Sequence, residues 1–299
     1  MPIPEWQLDN WSHQGAITGS AAAYNSIQTA LTSSNSNISR LDYELFLQGS
    51  YRNSTNIHGD SDVDIVAKLK STFTCDLSAL DDSQRVGQSA VYPAAGYQWS
   101  DFRRGLLQTL EEYYGKVNVK PLSKCIQVIT GPGRITADVV PAIGFRRYNY
   151  FYSQLHESYV QGITLFDSAS SLINNFPEQH IANGSAKNAA GRTNGWYKPT
   201  VRVFKNARNR LVDDGRISNE LVPSYCLECL IYNAPDSCFG GCYGDTYCSV
   251  VNCLWELPFS QMISQNGLIP LFGASPAQWN SDAATEFLNG LRELWNSWS

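Results

Sequence analysis

Two aspartates stand two residues apart inside a β-branched run, Ser61-Asp62-Val63-Asp64-Ile65-Val66-Ala67. In a strand, side chains at i and i+2 share a face. Asp62 and Asp64 therefore stand side by side, with Val63 and Ile65 turned to the other face. Two neighbouring carboxylates repel each other and cost desolvation energy unless a cation lies between them. Mg²⁺ suits such a pair, because it takes oxygen ligands and bridges carboxylates to substrate phosphates. An edge strand with solvated aspartates would explain a lone Asp-x-Asp equally well.

What precedes the pair narrows the choice. An apolar run, Tyr43 to Leu47, stops at Gly49-Ser50, and a segment rich in Asn, Ser and Thr leads into the aspartates. Glycine lets a backbone come close to a phosphate, and N–H groups at a following helix start can receive its charge. Asp60, Asp62 and Asp64 also spell D-x-D-x-D, but a calcium loop needs Gly at its sixth position and Glu at its twelfth. Ile65 and Ser71 stand there instead, which leaves Asp60 as a turn residue or a supporting group.

The order of strand, Gly-Ser, polar turn and Asp-x-Asp strand resembles the active-site signature of DNA polymerase β-like nucleotidyltransferases. The wording GSYRNSTNI…DSDVDIV is similar to one branch, the cGAS/DncV-like nucleotidyltransferases of bacterial anti-phage defence (CBASS), which make cyclic oligonucleotide signals. That resemblance implies an α/β (α+β) fold in two lobes, a mixed-sheet lobe over residues 1–175 with an N-terminal brace helix and a helical lobe over 176–299 closing the nucleotide cleft. It also implies a third carboxylate from a neighbouring strand further along the chain. Asp138, the single acid in RITADVVPAI, is the candidate. A carboxylate satisfied by backbone or by Arg134 is the alternative for that residue.

Further motifs carry the resemblance into the second half. A Phe-Pro-x-x-His turn in NNFPEQH, ending at His180 and followed by VRVFKNARNRL and VPSYCLECLIYN, recurs in the family. Helical spacing turns Val201, Phe204 and Leu211 inward and gathers Arg202, Lys205 and Arg208 on a basic side. Lys205 sits beside the apolar face, and the resemblance implies that it contacts the donor triphosphate. Ser224 and Tyr225 match the positions that supply a phosphate-binding hydroxyl and a base-stacking ring. On the residues alone, Ser224 is an ordinary helix-start residue and Tyr225 is core.

Composition sets the outer limits. The 299 residues suffice for one large α/β domain or two lobes, and 43% hydrophobic content can fill a core. A net charge of −5 argues against a general nucleic-acid binder. The first residues, MPIPEWQLDNWSHQG, show neither the basic nor the apolar region of a signal peptide. No stretch approaches the ~20 apolar residues that span a bilayer, so a cytoplasmic, non-membrane protein is expected. Its eight cysteines are then thiols or metal ligands rather than disulfides. Cys226-x-x-Cys229 and Cys238-x3-Cys242 fall within zinc spacings. The first pair lies on an apolar helix with no histidine near, so structural Zn²⁺ is not expected. Nor is there a His/Cys insert of the kind the animal DNA sensor uses, so no double-stranded DNA sensing is expected.

The rest of the chain reads as scaffold. Residues 1–35 carry a helical stripe that includes Ala16, Ile17, Ile27 and Leu31; Ser71 to Gly96 reads as loop; Ser100 to Tyr114 reads as an amphipathic helix. CIQVIT and RITADVVPAI form a hairpin around Gly131-Pro132-Gly133. FRRYNYFY packs at a core edge, and Asp282 to Trp298 is a closing amphipathic helix.

The reading is a nucleotidyltransferase that joins NTPs into a cyclic oligonucleotide, most simply a cyclic dinucleotide. Asp62, Asp64 and Asp138 hold two Mg²⁺ ions, with Mn²⁺ as the substitute, and Gly49, Ser50, Lys205, Ser224 and Tyr225 hold the nucleotide. The resemblance also implies an RNA or protein activator and a separate effector protein that receives the product. Three alternatives stand beside it. One is a linear-product or RNA-end nucleotidyltransferase of the oligoadenylate synthetase kind. The others are a protein-modifying nucleotidyltransferase and a catalytically silent nucleotide-binding protein.

Overall fold

The structure, a computed structural model, describes residues 1–15, 18–58, 62–130, 136–275 and 277–298; the side chains of Thr18 and Asp62 lie outside that description. The elements in chain order begin with α1 (Glu5–Ser12), α2 (Thr18–Thr32), β1 (Tyr43–Leu47), α3 (Gly49–Asn53) and β2 (Asp62–Asp76). Then come α4 (Asp82–Val91), α5 (Trp99–Tyr114), β3 (Val119–Pro121), β4 (Ile126–Ile129), β5 (Thr136–Ser153), β6 (His156–Phe166) and β7 (Leu172–Asn175). Helices α6 (Pro177–Asn188), α7 (Tyr197–Asp213), α8 (Ser224–Tyr232), α9 (Tyr243–Glu256) and α10 (Ser281–Asn296) complete the chain.

The chain divides into two units. The sheet unit is Ile17–Gln48 with Ser61–Pro177; the helical unit is Met1–Ala16, Gly49–Asp60 and Glu178–Ser299. Two early segments, Met1–Ala16 and Gly49–Asp60, group with the helical unit.

In the sheet unit, β5 is the spine. Along one edge it pairs in parallel with β2; along the other it pairs antiparallel first with β4 and then with β6. β1 runs antiparallel to β2, and on the other side β3 extends β4 and β7 extends β6. Alternation decides the faces. Val63, Ile65, Ala137 and Val139 are fully buried, and α2 and α5 pack over β2 and β5 with Ile27, Leu31, Phe102, Leu106 and Leu110 in the core. On the opposite face, Val66, Ala142 and Ile163 cluster with Phe46 and Val140. Asp64 and Asp138 precede Val66 and Val140 by two residues, so they stand at one end of that apolar strip.

FRRYNYFY is the second half of β5. The hairpin between CIQVIT and RITADVVPAI is antiparallel, while its Gly131-Pro132-Gly133 turn lies outside the described residues, as do Ala16, Ile17, Asp60 and Arg134.

Three expectations need correcting. The segment from Ser71 to Gly96 is not mainly loop: β2 continues to Asp76 and α4 follows. The overlooked signal is Asp81-x-x-Gln84, in which the Asp81 carboxylate accepts the Gln84 N–H at 2.9 Å and the Gln84 amide reaches back to it, an N-terminal capping pair. The first 35 residues form two helices. α2 braces the sheet, whereas α1 packs on α7 and α9, where Glu5 accepts the N–H groups of Tyr243 and Gly244 at the start of α9. Finally, His180 belongs to α6 rather than to a turn.

The helical unit has one continuous core. Phe204 and Trp295 sandwich Tyr247 at 4.9 and 5.2 Å, and Leu8, Leu227, Val250, Phe287 and Leu291 surround the stack. Among the described residues, no helix is long and apolar enough to cross a membrane.

Candidate active site

The sheet unit brings two of the expected acids together. Asp64 and Asp138 are direct partners in the parallel β2–β5 register, so they share a face at the ~4.8 Å spacing of paired strands. Both are half-buried, whereas their strand neighbours are sealed in the core. Asp62 pairs in the same register with Thr136, two residues earlier. From β4, Gln127 lies opposite Asp138 and its amide nitrogen is 3.4 Å from the carboxylate. Beside them lies the Cys125 thiol. Burial first, then the negative charge of Asp138 and Asp64, pushes it up to about 12. One thiol thus feels both carboxylates. Among the described residues no three His, Cys, Asp or Glu side chains gather closely enough to hold a metal; the carboxylate of Asp62 is not among them.

The Gly-Ser turn follows directly from this strand geometry. Gln48, the last residue before it, donates its N–H to the Asp64 carbonyl at 2.9 Å. Gly49 then takes φ +67°, a left-handed conformation that glycine adopts without penalty, and Ser50 enters the short α3. The Thr55 N–H returns to the Ser50 carbonyl at 2.9 Å and closes the loop.

In the helical unit, Ser224 opens α8 and its hydroxyl accepts from Arg208 at 3.0 Å. The Tyr225 ring stacks on His180 at 5.2 Å and 26°, and its hydroxyl accepts from Asn266. Burial raises its pKa. Lys205 sits in a closed setting. It is fully buried, with its ammonium 2.7 Å from Glu228 Oε1 and 3.5 Å from the Thr55 hydroxyl. Arg202 is also buried, donating to the Ser12 and Ser54 carbonyls. The basic side expected of α7 is therefore largely an interior one.

Glu228 is the residue that sequence reasoning passed over. Burial alone would raise its carboxyl; Lys205 and then His180 more than offset this and hold it well below the usual carboxylate range. A signal was present: Glu228 is the one charged residue in SYCLECLIY, and a charge inside so apolar a helix needs a buried partner.

Similarity to known proteins agrees with this arrangement. Residues 182–296 match the cGAS/DncV-like nucleotidyltransferase C-terminal helical domain. Along its whole length the chain is 42% identical to the cyclic UMP-AMP synthase of Rhodothermus marinus, covering 99% of it. It is 38% identical, again over all of both chains, to the cyclic nucleotide synthase CdnE01 of Staphylococcus haemolyticus. The solved structure of the Rhodothermus marinus CdnE c-UMP-AMP synthase with Apcpp and Upnpp superposes with a TM-score of 0.85, covering 100% of this chain and 98% of that one. A mixed sheet with paired strand carboxylates, a helical C-terminal domain and identity of this extent lead to one conclusion: the chain belongs to the cGAS/DncV-like nucleotidyltransferases, and it is an enzyme of that family.

Proposed function

We propose that this nucleotidyltransferase joins two NTPs into a cyclic dinucleotide. The observation that carries the reading is the Asp64–Asp138 register on β2 and β5, in a chain matching cyclic nucleotide synthases end to end. Asp62, Asp64 and Asp138 offer hard oxygen donors from adjacent strand positions, a set that fits Mg²⁺ or Mn²⁺. Ions bound there would supply the charge that lowers the pKa of the attacking hydroxyl and stabilises the pyrophosphate leaving group.

The protein's own groups do the positioning. Asp138, half-buried beside Asp64, orients the ribose hydroxyl of the acceptor nucleotide. The Gly49-Ser50 backbone and the Ser224 hydroxyl receive phosphate oxygens, and the Tyr225 ring stacks on a base. The hydroxyl oxygen bonds to the donor α-phosphorus as the bond to the β-phosphate oxygen breaks, releasing pyrophosphate. A linear dinucleotide triphosphate forms first. The same displacement on its own triphosphate closes the ring.

The test is incubation with labelled NTPs and Mg²⁺ or Mn²⁺, phosphatase digestion and chromatography. UTP with ATP comes first, because the Rhodothermus marinus relative is named for that pair. A phosphatase-resistant product, absent with Asp64→Asn, is expected. A product whose mobility shifts as phosphatase strips a 5′-triphosphate from it would instead support the linear-product alternative. We further place the product as a signal in anti-phage defence, read by a separate effector, and expect cells carrying the intact defence operon to lose protection in plaque assays with Asp64→Asn.

A further inference from the structure

We propose that Glu228 is a positioning residue for nucleotide binding: buried in the helical unit, it fixes the segment that follows the Gly49-Ser50 turn and fixes Lys205 with it. This rests on the nucleotide-binding role given above to Gly49 and Ser50.

Four donors converge on its two oxygens. Thr55 Oγ1 donates to Oε1 at 2.6 Å and Lys205 Nζ at 2.7 Å. Asn53 Nδ2 and His180 Nε2 donate to Oε2 at 3.2 and 3.3 Å. Glu228 is 4% exposed and Lys205 0%. A carboxylate so buried is tolerated only when its charge is matched and its lone pairs are filled. Lys205 matches the charge, and the other donors fill the remaining lone pairs. Two of them, Asn53 and Thr55, come from the single turn that leads out of α3.

That turn is held from both sides. Between the two donors, Ser54 adopts φ +57°, an uncommon left-handed conformation for a residue with a side chain. Its carbonyl accepts from Arg202 at 2.6 Å. Thr55, gripped by Glu228 through its hydroxyl, donates its backbone N–H to the Ser50 carbonyl. The connection from Glu228 to Ser50 therefore runs through one residue. A merely solvated loop needs no such anchorage, but a backbone that must present N–H groups to a triphosphate does.

In this arrangement Lys205 also bears on the turn, through Glu228 and Thr55. The geometry also explains why Lys205 and Ser224, which belong to separate helices, go together. Glu228 lies one helical turn beyond Ser224 on α8 and carries the contact to α7.

Thr55→Val and Thr55→Ser test this with little risk to folding, since valine matches threonine in shape. Initial rates of product formation are measured against NTP concentration, with melting temperature followed in parallel. Thr55→Val is expected to raise the NTP KM about 10-fold, the loss of one hydrogen bond to a charged group, with kcat within about 3-fold. Thr55→Ser, which restores the hydroxyl, is expected to return KM to within about 2-fold of the parent. Glu228→Gln is expected to raise KM further. Equal KM for Thr55→Val and the parent would overturn the proposal. So would a fall in kcat alone, or a KM change that Thr55→Ser fails to rescue. If the parent forms no product from any NTP, with or without added RNA, the nucleotide reading falls and this inference with it; an active parent with indifferent variants sinks the inference alone.

Discussion

The molecule carries two concentrations of carboxylate chemistry that solve opposite problems. On β2 and β5, like charges face each other across paired strands and remain half-exposed. In the helical unit, one carboxylate is sealed from water and closed off by a lysine, a histidine, a threonine and an asparagine. The first arrangement gathers negative charge that a cation can neutralise; the second neutralises its charge internally and spends it on geometry. Burial with matched charge therefore suits positioning, and half-burial beside a like charge suits the metal chemistry proposed for this edge.

Asp64→Asn should produce the largest effect. The variant keeps the side-chain shape and relieves the repulsion with Asp138, so folding should be unharmed or slightly improved. Product formation should fall on the order of 10³-fold, about 4 kcal/mol of transition-state stabilisation. Rate assays at saturating NTP, beside a melting curve, check both halves. A variant that stays active would remove the chemical role assigned to this edge and turn the comparison around.

The buried pair should respond in stability first. Lys205→Met leaves the Glu228 carboxylate without its counter-charge, a change that typically costs about 3–5 kcal/mol. Combining it with Glu228→Leu should recover much of the loss, because the pair is removed together. The dependence on pH has a definite sign. The carboxyl of Glu228 is held low in the folded protein, so the stability it brings is present above the unfolded carboxylate range and is lost as pH falls through the folded value. The denaturation gap between parent and Lys205→Met should thus be widest above about pH 4.3 and shrink at lower pH. A gap independent of pH would mean that the pair contributes packing rather than charge.

How far these two regions could be read beforehand differs for the same physical reason. The first two strand carboxylates are spelled by a local rule, since period two places Asp62 and Asp64 on one face, and the family resemblance points to Asp138 as the single acid in RITADVVPAI. The helical hub has no local spelling. Asn53, Thr55, His180, Lys205 and Glu228 are brought together by tertiary packing, and the resemblance that assigns Lys205 to phosphate says nothing of Glu228. The fold followed the same division. Long periodic segments such as α5, β5 and α10 were legible, whereas α4 was missed because its evidence is a two-residue cap rather than a stripe. The grouping of residues 1–16 and 49–60 with the helical unit depends on long-range contacts that no window of sequence contains.

Gly49 offers the finest test, because it stands where the chain passes from one group of residues to the other. Its N-terminal neighbour Gln48 is hydrogen-bonded to Asp64, while the residues after it belong to the segment that Glu228 holds. Gly49→Ala should cost about 1 kcal/mol, since a side chain at φ +67° meets the following carbonyl. The kinetic signature decides which region the turn serves. A higher NTP KM with kcat preserved, as for Thr55→Val, would assign it to phosphate positioning with the buried hub. A fall in kcat at unchanged KM, as for Asp64→Asn, would assign it to the carboxylate edge. The contacts favour the first, because the carbonyl of Ser50 is tied to Thr55, and Thr55 is tied to Glu228.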